Sequence, residues 1–452
     1  MNLENKNVLV AGIARTGIAA SNLLARNKAR VMAVDDKREE DLKENLAKLD
    51  KRVRVQTGRI QGEDITDFDL IIVSPGIDMR NPLLKKAVEK GIPVWSEIEL
   101  ASRFIKKPII AITGTNGKTT STSMIGNILQ NSGEKIYVGG NIGFPLSNIA
   151  DQASQYSFIV LEVSSFQLEW IDQFKPFISA ILNITEDHLD RHLDFNEYVS
   201  LKKRMFRNQK EKDYLILNKD DPVTACIEPE NKIQKLLFSR IREVEDGAFL
   251  RKDNIIIRLH GKEKVIGPVS KLKVKGIHNI ENGLASALLG ALCKVKAETV
   301  MDSLSRFTGI DHRMEFVREI NGVRFINDSK GTNTGATMKS IESFDCPIIL
   351  IAGGKDKGGN YGPLAELISK KVKFSILIGE SKMKIRSALK NSNNIENAAT
   401  LEDAVNKAFA KANAGDVVLL SPSCASFDMF KDYEDRGNIF KKAVLKLPGN
   451  NN

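Results

Sequence analysis

Four cysteines in 452 residues, Cys226, Cys293, Cys346 and Cys424, are too few for a disulfide-stapled scaffold. No two stand at CxxC spacing and none has a histidine at zinc-finger distance. The pattern argues against a thiolate metal site and for a reducing compartment, with the four thiols as small core fillers. No apolar run approaches the roughly 18 residues that a membrane span needs. The first hydrophobic stretch is short and broken by Gly12 and Arg15, so the chain reads as a soluble, unexported, cytoplasmic protein. Aromatic residues make up only 6%, and the positive charges, 67 Lys and Arg against 57 Asp and Glu, are scattered. The net charge of +10 suits small anionic substrates, but the surface lacks the clustered basic and aromatic residues of a nucleic-acid binder.

What is present belongs to an ordinary globular enzyme: 42% hydrophobic residues, 27% charged residues and 32 glycines. At about 150 residues per domain the length suggests three domains. KNVLVAG, TGIAASNLLARN, RVMAVDD and FDLIIVSPG alternate strand with helix, the rhythm of a parallel Rossmann-like sheet. Near Pro108 the strand PIIAIT starts a second α/β unit, which continues through KIYVGG, SFIVLEV, ISAILNIT and DYLILN into a polar β stretch over 238–275. GVRFIND, CPIILIAGG, FSILIGE and DVVLLSP make a third. The expected domains are 1–97, 98–308 and 309–452, all α/β, the central one a P-loop ATPase-like parallel sheet. No solenoid repeat is present.

The clearest motif is AITGTNGKTT. Strand 109–112 runs into Gly114, Thr115, Asn116, Gly117, Lys118, Thr119 and Thr120, and then into a helix. Small residues let backbone N–H groups and a helix N-terminus wrap phosphate oxygens. Lys118 adds a cation, and Thr119 offers Mg²⁺ a hydroxyl. Ile112 stands where the generic pattern has its first glycine, so this is a variant phosphate loop; a chance GKT in a glycine turn is the plain alternative.

The first turn, from Gly12 to Gly17 with Asp35 at the end of the next strand, has the layout of a dinucleotide site, so an NAD-dependent oxidoreductase is one reading and an unliganded βα turn another. Two apolar strands end near Glu162 and before Asp187 and His188. Strand ends of parallel sheets line the ligand crevice, which makes Glu162 and His188 candidate Mg²⁺ ligands. A surface carboxylate and a helix cap are the bland alternatives. Lys202 and Lys203 in YVSLKKRMF read by themselves as a solvated helix face.

In order along the chain, GTNGKTT, GGNIG, LEVSSFQL, NITEDHLDRH, GIHNIENGLAS and GIDHRME resemble the motifs of the Mur ligase family, ATP-dependent amide-forming enzymes of peptidoglycan precursor synthesis. NDSKGTN (327–333) and LSPSCASFDMFKDYEDRG (420–437) are similar to the branch that adds D-glutamate to UDP-N-acetylmuramoyl-L-alanine. A sister ligase adding another amino acid is the nearest rival. The resemblance implies phosphorylation of the substrate carboxylate by ATP, attack of the D-glutamate amine on the acyl phosphate, and two Mg²⁺ ions. It assigns catalysis to Lys118, His188 and a carbamylated Lys202, with Lys203 as a neighbouring alternative. Metal binding falls to Thr119, Glu162, His188 and Lys202.

ATP would meet residues 114–120 with Asn279, Asn282, Arg313 and Asp328. The UDP-linked substrate would meet Arg15, Thr16, Asp35, Asp36, Lys37, Ser74, Pro75, Gly76, Asn141 and His188, which turns the first domain from a NAD site into a UDP site. Here Ala14 replaces a common glycine and Arg15 an often apolar residue. D-glutamate would meet Lys330, Thr332, Lys355, Ser426, Phe427 and Tyr433, with Lys357 a rival to Lys355. A monomer with small-molecule partners only is expected.

Overall fold

The computed structural model describes residues 1, 3–58, 65–189, 191–274, 276–357, 360–389 and 394–448. Its three sheets carry the expected α/β character. In the first, strands Arg54–Thr57, Arg30–Asp35, Asn7–Ala11, Leu70–Val73 and Val94–Ser96 lie in that order, all parallel. The order reverses between Asn7–Ala11 and Leu70–Val73. A crevice opens there at the strands' carboxyl ends, where the first turn and Ser74 sit. The turn is tight because Gly17 lies against it: a Cβ at Gly17 would stand 1.8 Å from the Gly12 carbonyl oxygen.

Among the described residues the central sheet has nine strands. Ile109–Thr113 is flanked by Phe158–Glu162 and Ile178–Ile181, both parallel to it and buried, as continuous apolar runs in a two-sided sheet must be. The polar stretch is an edge of antiparallel strands Gly247–Arg251, Asn254–Leu259 and Lys262–Pro268; the first two bury consecutive residues, and the last exposes four in a row, Lys262, Glu263, Lys264 and Val265. The third sheet runs Glu315–Ile320, Val323–Asn327, Val417–Leu420, Ile348–Gly353, Val372–Ile378 and Ile395–Asn397, parallel except for its first strand. Its faces are filled by two apolar clusters, one around Phe325, Val405 and Phe440, the other around Leu350, Leu364 and Ile385.

Chain contacts divide the molecule into two compact units. One is Met1–Ile184 with Asn196–Pro268 and Gly283–Ser303, and holds the first two sheets. The other is Thr185–Phe195 with Val269–Asn282 and Leu304–Asn452, and holds the third. Three stretches from the expected 98–308 segment, 185–195, 269–282 and 304–308, therefore belong to the unit of the third sheet.

Inside the first unit, helix Glu97–Ser102 joins the first two sheets, and Glu97 is 1% exposed. Burial pushes its carboxyl up to about 7, against the opposing pull of the Ser147 N–H and Arg15. A folded value above the unfolded one means that the stability this group contributes is complete below about pH 4.5 and is lost as pH rises through 7. Glu97→Gln should therefore gain on the wild type between pH 5 and 8.5, by up to about 3 kcal/mol, in urea unfolding followed across that range. Parallel curves for the two proteins would refute the assignment.

Candidate active site

The phosphate loop leaves strand Ile109–Thr113 with Gly114 at φ +152° and enters helix Lys118–Asn131 with Gly117 at φ +85°, a backbone that side chains rarely adopt. A glycine-rich turn that leads straight into a helix N-terminus has the backbone geometry of an anion cradle. Lys118 bends over the loop, donating to the carbonyls of Gly114 at 2.9 Å and Thr115 at 2.7 Å.

The loop is clamped by a residue the sequence reading missed. Asn183 accepts from the Asn116 N–H at 2.8 Å and donates to the Asn116 carbonyl at 3.0 Å, while its own carbonyl accepts from the Thr115 N–H at 2.9 Å. Asn183 lies just beyond strand Ile178–Ile181, the place expected for His188. His188 comes five residues later, at φ +57°, in the second unit.

Helix Phe195–Lys203 presents Tyr198 and Lys202, four residues apart, to the same loop. The Tyr198 hydroxyl lies 3.2 Å from Thr115 Oγ1. Lys202 is 1% exposed, and its amine donates to the Gly114 carbonyl at 3.0 Å and sits 4.4 Å from the Tyr198 ring centroid. Lys203 is exposed. The solvated-face alternative thus describes Lys203 and fails for Lys202.

Glu162 ends its strand buried, with Oε1 accepting from Asn141 Nδ2 at 2.6 Å and Oε2 without a hydrogen-bond partner. An unsatisfied buried carboxylate oxygen beside a phosphate loop fits a hard cation, and the loop hydroxyl of Thr119 is of the matching donor type. Among the described residues no three His, Cys, Asp or Glu side chains converge as a ready-made metal cluster.

At the first crevice a hollow is lined by Ala11, Gly12, Asp35, Asp36, Ile77, Asn81 and Leu83. Asp35 is committed to shaping the turn: Oδ2 accepts from the Ile13 N–H at 2.7 Å and Oδ1 from the Lys37 N–H at 3.0 Å. Ser74 is buried and donates to the Gly12 carbonyl at 3.2 Å. Arg15, Asp36, Lys37 and Gly76 are exposed, and Thr16 and Pro75 partly so. Ile77, Asn81 and Leu83 went unnoticed in the sequence because they resemble ordinary helix-start residues; Asn81 is in fact the cap of helix Pro82–Glu89.

In the second unit a pocket is formed by Glu186, Asp187, His188, Thr332, Asn333, Asp356, Lys357, Tyr361 and Ser423, among others. Asp187 organises it. Its carboxylate accepts from Asn333 Nδ2 at 2.9 Å and lies 3.7 Å from both Lys357 Nζ and His188 Nε2. Asn333 in turn caps helix Thr334–Glu342, accepting from the Ala336 N–H at 2.7 Å.

Lys355 is exposed and pairs through its backbone with Ala425, so the rival Lys357 is the lysine that lines this pocket. Thr332 lines it too. Of the other residues expected around D-glutamate, Ser426 is buried, Phe427 is 68% exposed, and Lys330 stacks 5.2 Å from the Tyr433 ring centroid. The expected substitution pattern follows: Lys357→Ala should raise the KM for the amino-acid substrate at least tenfold and Lys355→Ala by less than twofold, measured by steady-state ADP release, with the reverse order contradicting the placement.

Asp328 departs from the expected ATP contact. It is 1% exposed, and its carboxylate accepts from the hydroxyls of Ser340 at 2.7 Å and Ser421 at 2.8 Å and from the Met314 N–H. It ties helix Thr334–Glu342 to the loops at Met314 and Ser421, and burial raises its carboxyl above the usual range despite Arg313. Asn279 and Asn282 are buried side by side, 3.4 Å apart, and Arg313 is partly exposed.

Arg436, fully buried, was not singled out from the sequence. It donates to Ser329 Oγ and carbonyl at 3.0 and 2.8 Å and to the Cys424 and Ala425 carbonyls, locking the loops 328–333 and 423–426 together. The thiols are not uniformly core fillers, since Cys226 is exposed and Cys424 alone is buried.

A variant phosphate loop on a parallel sheet, in a chain that also carries a Rossmann-like sheet and a third α/β sheet with its own polar pocket, defines a multidomain nucleotide-using α/β protein. The chain belongs to the Mur ligase family: the Mur ligase MurD-like N-terminal domain matches residues 6–96, the Mur ligase middle domain 112–290, and the Mur ligase glutamate ligase domain 312–424. It is 46% identical over 452 residues to UDP-N-acetylmuramoylalanine--D-glutamate ligase of Thermoanaerobacter sp. strain X514, covering 99% of this chain and 100% of that one.

The identity to the same-named protein of Geotalea daltonii is also 46%, over 99% of each chain. Among solved structures, a pseudomurein peptide ligase type C from Methanothermus fervidus aligns with TM-score 0.62 at 20% identity, covering 98% of this chain and 100% of that one. MurF ligase from Thermotoga maritima in complex with ADP aligns with TM-score 0.62 at 16% identity, covering 98% and 96%. These distant structures share the fold. The dehydrogenase alternative for the first turn gives way to the ligase family, whose N-terminal domain is the one matched.

Proposed function

We propose that this chain joins D-glutamate to UDP-N-acetylmuramoyl-L-alanine, driven by ATP, in the cytoplasmic assembly of peptidoglycan precursors, and that it works as a monomer. Segment 1–97 takes the UDP end through the first-turn and Ser74–Gly76 residues, 98–308 takes ATP, and 309–452 takes D-glutamate and part of ATP. The alanyl carboxylate attacks the γ-phosphorus and releases ADP. The D-glutamate amine then adds to the acyl phosphate carbonyl, and phosphate leaves as the amide forms.

The loop N–H groups and Lys118 hold the phosphoryl oxygens as charge shifts to the ADP leaving group. Asn183, by taking up the Thr115 and Asn116 N–H groups, fixes the shape of the loop that presents the rest. Asn141 and His188 orient the muramoyl-alanine portion, and Lys357 and Thr332 hold a carboxylate of the amino acid, with Asp187 fixing the lysine. Glu162 and Thr119 are the residues that would hold one Mg²⁺, and His188 with carbamylated Lys202 a second; the ions, when bound, neutralise phosphate and carboxylate charge.

The observation that carries this reading is the clamped phosphate loop, with an unsatisfied Glu162 oxygen and the buried Lys202 amine beside it, in a chain 46% identical over its length to ligases of that name. The test is isotopic. With the alanyl carboxylate labelled with ¹⁸O, one labelled oxygen should appear in inorganic phosphate for each amide formed. Unlabelled phosphate would exclude the acyl phosphate.

A further inference from the structure

Glu97 is a buried carboxylate that the proposed chemistry does not use. Its Oε1 accepts from the Ser147 N–H at 2.5 Å, and its Oε2 is buried without a hydrogen-bond partner. The Ser147 carbonyl accepts from Arg26 Nη2 at 3.4 Å, and Arg26 is the last residue of helix Arg15–Arg26, which begins in the first turn. That helix, helix Glu97–Ser102 and the turn Leu146–Asn148 pack on one another.

Ser147 closes the segment 140–147, which carries Asn141. At its other end Asn141 donates to Glu162 at 2.6 Å, and the Phe144 and Pro145 carbonyls accept from the Tyr137 hydroxyl at 2.6 and 3.0 Å. The segment is therefore pinned on one side by the central sheet and on the other by Arg26 of the first helix and Glu97 of the helix that joins the two sheets.

We propose that Glu97 is a positioning residue for the UDP-linked substrate: by holding the Ser147 amide it sets the 140–147 segment, and with it Asn141, against the first-sheet helix that begins at the UDP crevice. This rests on the reading of the first turn and Asn141 as contacts of that substrate. A buried acceptor with a single N–H donor is an effective anchor because the N–H would otherwise be left without a partner in a dry site. The charged and titratable groups around it are Arg15 and Arg26 on the first helix, Asp151, which pairs with Arg26 at 2.8 Å, and Tyr137 on the central sheet. Arg15 favours the ionised carboxylate, and burial opposes it.

The experiment compares wild type with Glu97→Ala, Glu97→Asp and Glu97→Gln. Alanine removes the anchor, aspartate shortens its reach, and glutamine keeps a carbonyl oxygen in place. The expected result is a KM for UDP-N-acetylmuramoyl-L-alanine raised about tenfold in the alanine variant and by less in the aspartate variant, and within twofold of wild type for glutamine. The KM values for ATP and D-glutamate should stay unchanged throughout.

A glutamine variant as impaired as alanine, or a parallel rise in all three KM values, would overturn the proposal. If the alanine variant does not fold, the aspartate and glutamine variants decide by the same criterion. Calorimetric binding of the UDP-linked substrate alone separates two failures. A wild type that does not bind it refutes the functional reading and this inference together. A wild type that binds it, with variants that bind equally well, refutes this inference only.

Discussion

Lys118→Ala should lose on the order of a thousandfold in ATP-dependent turnover, about 4 kcal/mol of transition-state stabilisation, while keeping the wild-type fold. The loop is held without it. Asn183 fixes Asn116 and Thr115, and the Tyr198 hydroxyl contacts Thr115, while the Lys118 amine donates to the Gly114 and Thr115 carbonyls. What disappears is a fixed positive charge facing the cradle. In a site closed to water such a charge acts at low dielectric and needs no reorganisation during phosphoryl transfer. Stopped-time ADP assays with circular dichroism on the same samples measure both halves of the statement. Turnover within tenfold of wild type would refute the role given to the loop.

Lys202→Ala should also lose most activity, and acetate or bicarbonate should restore part of it, while Lys203→Ala behaves nearly as wild type. The asymmetry follows from geometry: Lys202 is buried with its amine on the Gly114 carbonyl, and Lys203 faces solvent. Carbamylation by CO₂ leaves one N–H on that nitrogen, enough to keep the bond to Gly114, and adds anionic oxygens suited to Mg²⁺. A small carboxylate can occupy the vacated place in the alanine variant. Carbon-13 NMR of protein equilibrated with labelled bicarbonate should give a carbamate signal that Lys202→Ala abolishes and Lys203→Ala retains. A signal that survives in Lys202→Ala would contradict the assignment.

The three α/β sheets were legible because buried parallel strands are written as continuous apolar runs and their turns as glycine-rich breaks, both local signals. The phosphate loop was legible for the same reason, being one contiguous segment. Which of two adjacent lysines turns inward was not, because it depends on the phase of helix Phe195–Lys203. Tyr198, one turn before Lys202, marks that phase, since both face Thr115 and Gly114.

Residues that act through distant backbone were hidden. Asn183 is an unremarkable asparagine until its strand is laid beside Ile109–Thr113, and Arg436 looks like a surface arginine until the loops around Ser329 and Cys424 close on it. Lys355 and Lys357 differ only by loop conformation, which the Lys355–Ala425 bridge decides. Asp328 has the composition of a ligand contact, yet its hydrogen bonds to Ser340 and Ser421 turn it inward.

The most direct test of the account is the specificity of the amino-acid step. ADP release by the wild-type protein is measured with UDP-N-acetylmuramoyl-L-alanine and each of D-glutamate, L-glutamate, glycine, L-alanine and L-lysine. A pocket that pairs charged groups with two carboxylates in one handedness leaves those groups unpaired for every competitor, a difference of about 10⁴-fold where a hydrogen-bonding site loses its partner. The account predicts the highest kcat/KM for D-glutamate by a wide margin, and a higher value for any of the other four would contradict it.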